Sequence, residues 1–192
     1  MAIPDLNIDI GDLQRATEHV MVHGGSIAEV RGVTPEELEA VYAIAYAEYG
    51  QKHLDKAEAL FRFLCTFDHR VAKYWIGLGA TRQELKEWQP AMMAYVMAGM
   101  FDAKDPVPAL QTGDCLLAIG KFEKAETALK DAVHRASQDS KYGKLKARAE
   151  ALLKIARERA GERGDRRRRA QRRWSAGRRA ALGWRGALRA GA

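Results

Sequence analysis

Cysteine is scarce. Only Cys65 and Cys115 stand in the 192 residues, and their separation fits no metal site. Both fall inside apolar helical patterns, which predicts buried thiols in a reducing compartment rather than a disulfide. Long apolar runs are missing too. The longest, Ala91–Phe101, is 11 residues, against the roughly 20 that a membrane-spanning helix needs. The N-terminus carries Asp5, Asp9 and Asp12 where a secretory signal would need basic residues. A soluble cytoplasmic protein without membrane insertion is expected.

Catalytic signatures are equally thin. Gly77-x-Gly79 falls inside a helical pattern, where its glycines serve packing and not a phosphate loop. There is no Gly-x-Ser-x-Gly elbow. His19 and His23 are four apart but lack an intervening Glu and a third ligand, so they read as ordinary surface histidines. Carboxylates are scattered over polar helix faces. The expectation is a non-enzyme with no metal and no cofactor. Strand signals are few, and Ala, Leu, Glu and Lys fill the middle of the chain, which predicts an all-α fold.

What the chain does have is a period. Gly79 is preceded 34 residues earlier by Ala45 and followed 34 later by Gly113. The same step links Ala57, Ala91 and Ala125; Phe61, Tyr95 and Leu129; and Leu54, Trp88 and Phe122. Small residues recur where two helices approach, and large ones where a gap must be filled. This is the pattern of the tetratricopeptide repeat, a 34-residue helix–turn–helix unit. Three repeats are placed at about 37–70, 71–104 and 105–138, an α-solenoid.

Residues 1–33 form an N-terminal helical region. Asp12 is its expected N-cap before Leu13, Ala16, Val20 and Ile27, and Gly24-Gly25 is its break. A short helical piece then runs to Val30. Thr34-Pro35-Glu36-Glu37 starts the first repeat, with a capping Thr, Pro in the first turn and acids at the positive end of the dipole. Gly50 is expected to end helix A and Asp55 to cap helix B. A capping helix from Lys141 to about Ala160 carries Leu145, Ala149, Leu152, Leu153 and Ala156, as terminal repeats require.

The net charge of +7 divides unevenly. Residues 161–192 hold 11 Arg and no Lys against Glu162 and Asp165, a balance of +9, while residues 1–160 hold 21 basic and 23 acidic residues, a balance of −2. The body is mildly acidic and the basicity is all in the tail. Like charges this dense predict disorder. The tail is either a segment without a selected role, from Arg-rich coding, or a contact for nucleic acid or an anionic surface, since Arg interleaved with Trp174 and Trp184 suits phosphates and stacking.

Repeat arrays work by their concave surface. Helix A positions two, five, nine and twelve line it. Here these are Glu39, Tyr42, Tyr46 and Tyr49; Lys73, Ile76, Ala80 and Gln83; and Val107, Leu110, Asp114 and Leu117. Three tyrosines share one face. Their rings could grip apolar peptide side chains, or pack on neighbouring helices; the spacing of all three favours the groove. Val107, Leu110 and Leu117 make an apolar wall, and Ala80 leaves room between. Such a groove suits an extended peptide with a few hydrophobic anchors.

Particular runs go beyond the generic repeat. Phe61-Arg62-Phe63-Leu64-Cys65-Thr66-Phe67-Asp68-His69 and Trp75-Ile76-Gly77-Leu78-Gly79-Ala80-Thr81-Arg82-Gln83 resemble the class II type III secretion chaperones, as do Tyr42–Tyr46, Asp102–Pro106 and Asp114–Gly120. The resemblance covers about residues 30–155. It implies three repeats with flanking helices and a bacterial cytoplasmic chaperone for two hydrophobic translocator proteins. It also implies a client segment held in the concave groove, a homodimer through the N-terminal region and, in some members, an AraC-type transcription activator as partner. The Arg-rich tail is longer than the resemblance leads one to expect. Two other functions fit the same residues: a generic repeat scaffold for another complex, and a nucleic-acid-associated regulator acting through the tail.

Overall fold

The computed structural model describes the backbone of residues 17–190 and the side chains as far as Arg169, with Gln171 and Trp174 beyond. The expected cap at Asp12, with Leu13 and Ala16, lies outside the described residues. Residues 17–21 are helical, and Gly24 (φ +67°) turns the chain, as the Gly-Gly pair predicts. Ser26 then caps α1, Ile27–Arg31, through a reciprocal pair: its hydroxyl accepts from Glu29 N–H while the Glu29 carboxylate accepts from Ser26 N–H.

Three helix pairs follow: α2 (Pro35–Gly50) with α3 (Leu54–Phe67), α4 (Ala72–Glu84) with α5 (Trp88–Phe101), and α6 (Val107–Ala118) with α7 (Phe122–Ala136). Each helix packs chiefly on its sequence neighbours, the quasi-one-dimensional contact pattern of a solenoid. Thr34 and Glu37 form a second capping box, with Pro35 in the first turn of α2, as expected. One expected signal is corrected. Asp55 does not cap α3; the N-cap position is His53, and Asp55 sits in the first turn near the positive end of the dipole. Gly50 is the last residue of α2, as expected. The left-handed turn comes at Lys52 (φ 63°), and the same conformation recurs 34 residues on at Lys86 (φ 63°) and again at Gly120 (φ 70°).

The repeat columns meet as the period implies. A Cβ on Gly79 would lie 2.6 Å from the Tyr95 ring, and one on Gly113 would lie 2.6 Å from Leu129. Tyr95 and Leu129 are buried, as are Ala57, Ala91 and Ala125 where paired helices touch. One core cluster joins α1–α5 around Phe61, Leu64, Tyr74 and Leu78. A second joins α6–α8 around Leu110, Leu129, Ala149 and Leu153. Ala91, Tyr95 and Cys115 connect them. Both cysteines are buried and free, and burial pushes their thiols up, Cys65 to about 12 and Cys115 to about 11.

Asp139 caps a single 3₁₀ turn, Ser140–Tyr142, that leads into α8, Gly143–Ala190. Its first turns complete the third repeat by burying Ala149, Leu153 and Ala156. The helix does not stop near Ala160. It passes Gly161 and Gly164 and runs on through the stretch whose charge density predicts disorder. Arg and Ala are strong helix formers. Acids placed three residues from arginines offset part of the repulsion, as Asp165 does to Arg168 at 2.6 Å, and Arg163 Nη1 donates to the Gly120 carbonyl at 2.5 Å.

The N-terminal region is anchored by charge. The Glu29 carboxylate accepts from His19 at 2.7 Å and from Arg70 Nη2 at 2.6 Å, while Arg70 also binds Asp68. The His19 contact foremost, then the Ser26 N–H and Arg70, hold the Glu29 carboxyl down at about 2 instead of 4.5. A lowered carboxyl pKa stabilises the fold fully above about 4.5 and loses that contribution as pH falls through about 2. Carboxyl-resolved NMR should therefore find Glu29 titrating near 2, moving towards 4.5 in Arg70→Ala.

The columns make opposite predictions for two substitutions. Gly79→Ala forces a methyl into the Tyr95 ring, and the overpacking cost of about 1–3 kcal/mol outweighs the better helix propensity of Ala. Lys86→Gly relieves a left-handed backbone and stabilises by about 1 kcal/mol. Thermal unfolding should place the two variants on opposite sides of the parent.

Candidate client groove

The first helices of successive repeats line one side of the array. α2 touches α4, and α6 touches α8. The twelve expected positions fall into three kinds. Exposed are Glu39, Lys73 and Tyr46, the last with 63% of its surface open. Half-buried are Tyr42, Tyr49, Ile76, Ala80, Gln83, Val107, Asp114 and Leu117. Leu110 departs from the expectation. It is 3% exposed and packs into the second core cluster, so it shapes the wall from behind and offers no surface of its own.

The tyrosines divide in the same way. Tyr42 sits among rings, 5.9 Å from Phe61 edge-on and 5.8 Å from Tyr74, and stacks on Tyr46 at 6.4 Å. Tyr42 and Tyr49 both pack against the first core cluster. Burial pushes the phenols of Tyr42 and Tyr49 above their ordinary value. Tyr42 and Tyr49 pack on the core along one edge and keep part of their surface open, while Tyr46 is exposed. Gln83 is held from beneath, because the phenol of the buried Tyr95 donates to its Oε1 at 2.8 Å.

Charge closes the groove at its two ends. Lys73 pairs with Glu39 across the first two repeats, its ammonium 4.7 Å from the centre of the Tyr42 ring. At the far end Asp114 pairs with Arg148 of α8. Each pair is separated by 34 residues. α8 thus stands where the first helix of a fourth repeat would stand. Arg148 was not among the expected site residues, although one more 34-residue step from Asp114 leads to it. A third pair, Lys52–Glu84, joins the first two repeats beside Tyr49. With these charges paired, the groove positions Tyr46, Ile76, Ala80, Val107 and Leu117 are uncharged.

A second apolar surface was also not anticipated. The rings of Phe63 and Phe67 stack at 4.2 Å. Met97 and Phe101 occupy the same positions one repeat later, and Met93, Val96 and Met100 beside them are exposed. The long apolar run of α5 gave the signal. Its residues face both inwards and outwards.

Among known proteins, no family model matches the chain. The chaperone SicA of Salmonella typhimurium is 33% identical over 139 residues, covering 72% of this chain and 84% of SicA. A type III secretion complex from Aeromonas hydrophila contains a chain of similar structure, with TM-score 0.74 and 30% identity, covering 77% of this chain and 98% of that one. PcrH of Pseudomonas aeruginosa, solved with the chaperone-binding region of PopD, superimposes with TM-score 0.66 at 31% identity, covering 67% of this chain and 97% of PcrH. The type III secretion translocator chaperone SycD of Yersinia enterocolitica does so with TM-score 0.66 at 28% identity, covering 69% of this chain and 98% of SycD. With its repeat columns, its two ion pairs at the repeat period and this likeness over most of SicA, the chain belongs to the class II type III secretion chaperones.

Proposed function

We propose that the chain binds the hydrophobic translocators of a bacterial type III secretion system in the cytoplasm and keeps them soluble until export. An extended client segment lies along the groove, its apolar side chains seated on Tyr46, Ile76, Ala80, Val107 and Leu117. The uncharged strip between two ion pairs is the observation that carries this assignment. Apolar anchors lose least in such a strip, and a charged client residue within it would be desolvated without a partner. PcrH, solved with the chaperone-binding region of PopD, supports the client class. Binding masks apolar client surface and needs no chemistry and no nucleotide cycle.

Tyr46 and Leu117 are the cleanest probes, since Tyr42 also holds the core together. Tyr46→Ala and Leu117→Ala should each weaken binding of a translocator's chaperone-binding segment by about tenfold, the size of a moderate anchor. Tyr46→Ala should leave the unfolding temperature unchanged. Tyr42→Phe keeps the ring and should bind within about threefold of the parent, whereas Tyr42→Ala should lose both stability and binding. Calorimetric titration with the client segment, paired with thermal melts, checks all four. Undiminished binding in both Tyr46→Ala and Leu117→Ala would remove the groove assignment.

A further inference from the structure

The last part of α8 carries a pattern that the groove does not use. The face of α8 that buries Ala149, Leu153 and Ala156 recurs at alternating steps of four and three residues through Ala160, Arg163 and Arg167. The same steps continue through Ala170, Trp174, Gly177, Ala181, Trp184 and Leu188. At 3.6 residues per turn, positions 170 to 188 of this series fall within an arc of about 80°. Between residues 170 and 188 the arc holds no charged residue. Arg166 falls on its edge, the arginines from 168 to 189 stand around it, and no acid follows Asp165. The described side chains from Asp165 to Arg169, and Gln171 and Trp174, are exposed, Trp174 at 58%.

We propose that residues 166–190 of α8 dock the protein on an anionic membrane surface, lying in the plane of the interface. Three observations select this occupant. The first is charge. Residues 161–192 carry +9 while the rest of the chain carries −2, so the molecule has one strongly cationic end. The second is one-sidedness. Both tryptophans and Leu188, though not Leu182, share the narrow arc, and a helix lying on a bilayer turns such an arc to the acyl boundary, with tryptophan at headgroup depth and arginines reaching the phosphates. A nucleic-acid contact uses phosphates as well but needs no single aromatic line. The third is the use of Arg to the exclusion of Lys in this segment, which favours forked contacts to phosphate oxygens. No helix among the described residues is long and apolar enough to cross a membrane, so the contact is superficial. It lies outside the groove and is tested without a client.

The test uses the full chain with vesicles of phosphatidylcholine containing about a third phosphatidylglycerol, vesicles of phosphatidylcholine alone, and a short DNA duplex and a single-stranded RNA as competitors. The expected result is sedimentation with the anionic vesicles, at least about tenfold weaker with neutral ones, weakening as salt rises. The Trp174→Ala/Trp184→Ala variant keeps every charge and should lose at least about tenfold in vesicle affinity, with the unfolding temperature of the body unchanged. Replacing Arg172, Arg173, Arg178 and Arg179 by Gln should lower vesicle affinity as well. Three outcomes would each overturn the proposal: no preference for anionic vesicles, full vesicle binding by the tryptophan variant, or release from vesicles by nucleic acid at concentrations well below those of lipid.

Discussion

Gly79 leaves out a side chain so that the ring of Tyr95 can take its place, and Gly113 does the same for Leu129. A glycine within a helix costs roughly 1 kcal/mol relative to alanine. A fully buried large side chain contributes about 1.5–3 kcal/mol, so the exchange favours folding in the second and third repeats. It also sets geometry. The buried side chain sets how closely the two helices of each of these pairs approach. The opposite edge of each first helix is then left without a neighbour from its own pair. The groove is a consequence of this packing, so the fold and the proposed client site share α2, α4 and α6.

That sharing explains what was legible in the sequence. Four columns at one period give the repeat, because sterics between paired helices leave few residue types at each position. Thr34-Pro35-Glu36-Glu37 gives the start of the array, because capping is local. Leu110 was misplaced for the converse reason. Position five of the first helix lies on the boundary between core and groove, and the neighbouring repeat, not the local period, decides which side wins. Tyr42 stands at the same position in the first repeat and divides its surface between both. The left-handed turn was hidden because Lys occupies it at residues 52 and 86, and only Gly120 carries the residue that backbone sterics prefer. The continuation of α8 was missed because a count of like charges ignores the helix propensity of arginine and the acids spaced among them.

The ion pairs at the groove ends are informative through position more than strength. Lys73, Glu39 and Arg148 are all about half exposed. Exposed pairs of this kind stabilise by at most about 1 kcal/mol each. Neither is needed to hold the helices, which the buried alanine and aromatic columns already do. What the pairs do is consume charge. Lys73 is neutralised by Glu39 and turned over the Tyr42 ring, and Asp114 is neutralised by Arg148. The acidic body thereby keeps its charges off the strip between the pairs. An uncharged lining in a chain that is 30% charged residues is thus built by pairing as much as by apolar composition. Since Arg148 belongs to α8, the capping helix does two jobs at once: it buries the last repeat through Ala149, Leu153 and Ala156, and from the residue beside Ala149 it pairs with Asp114.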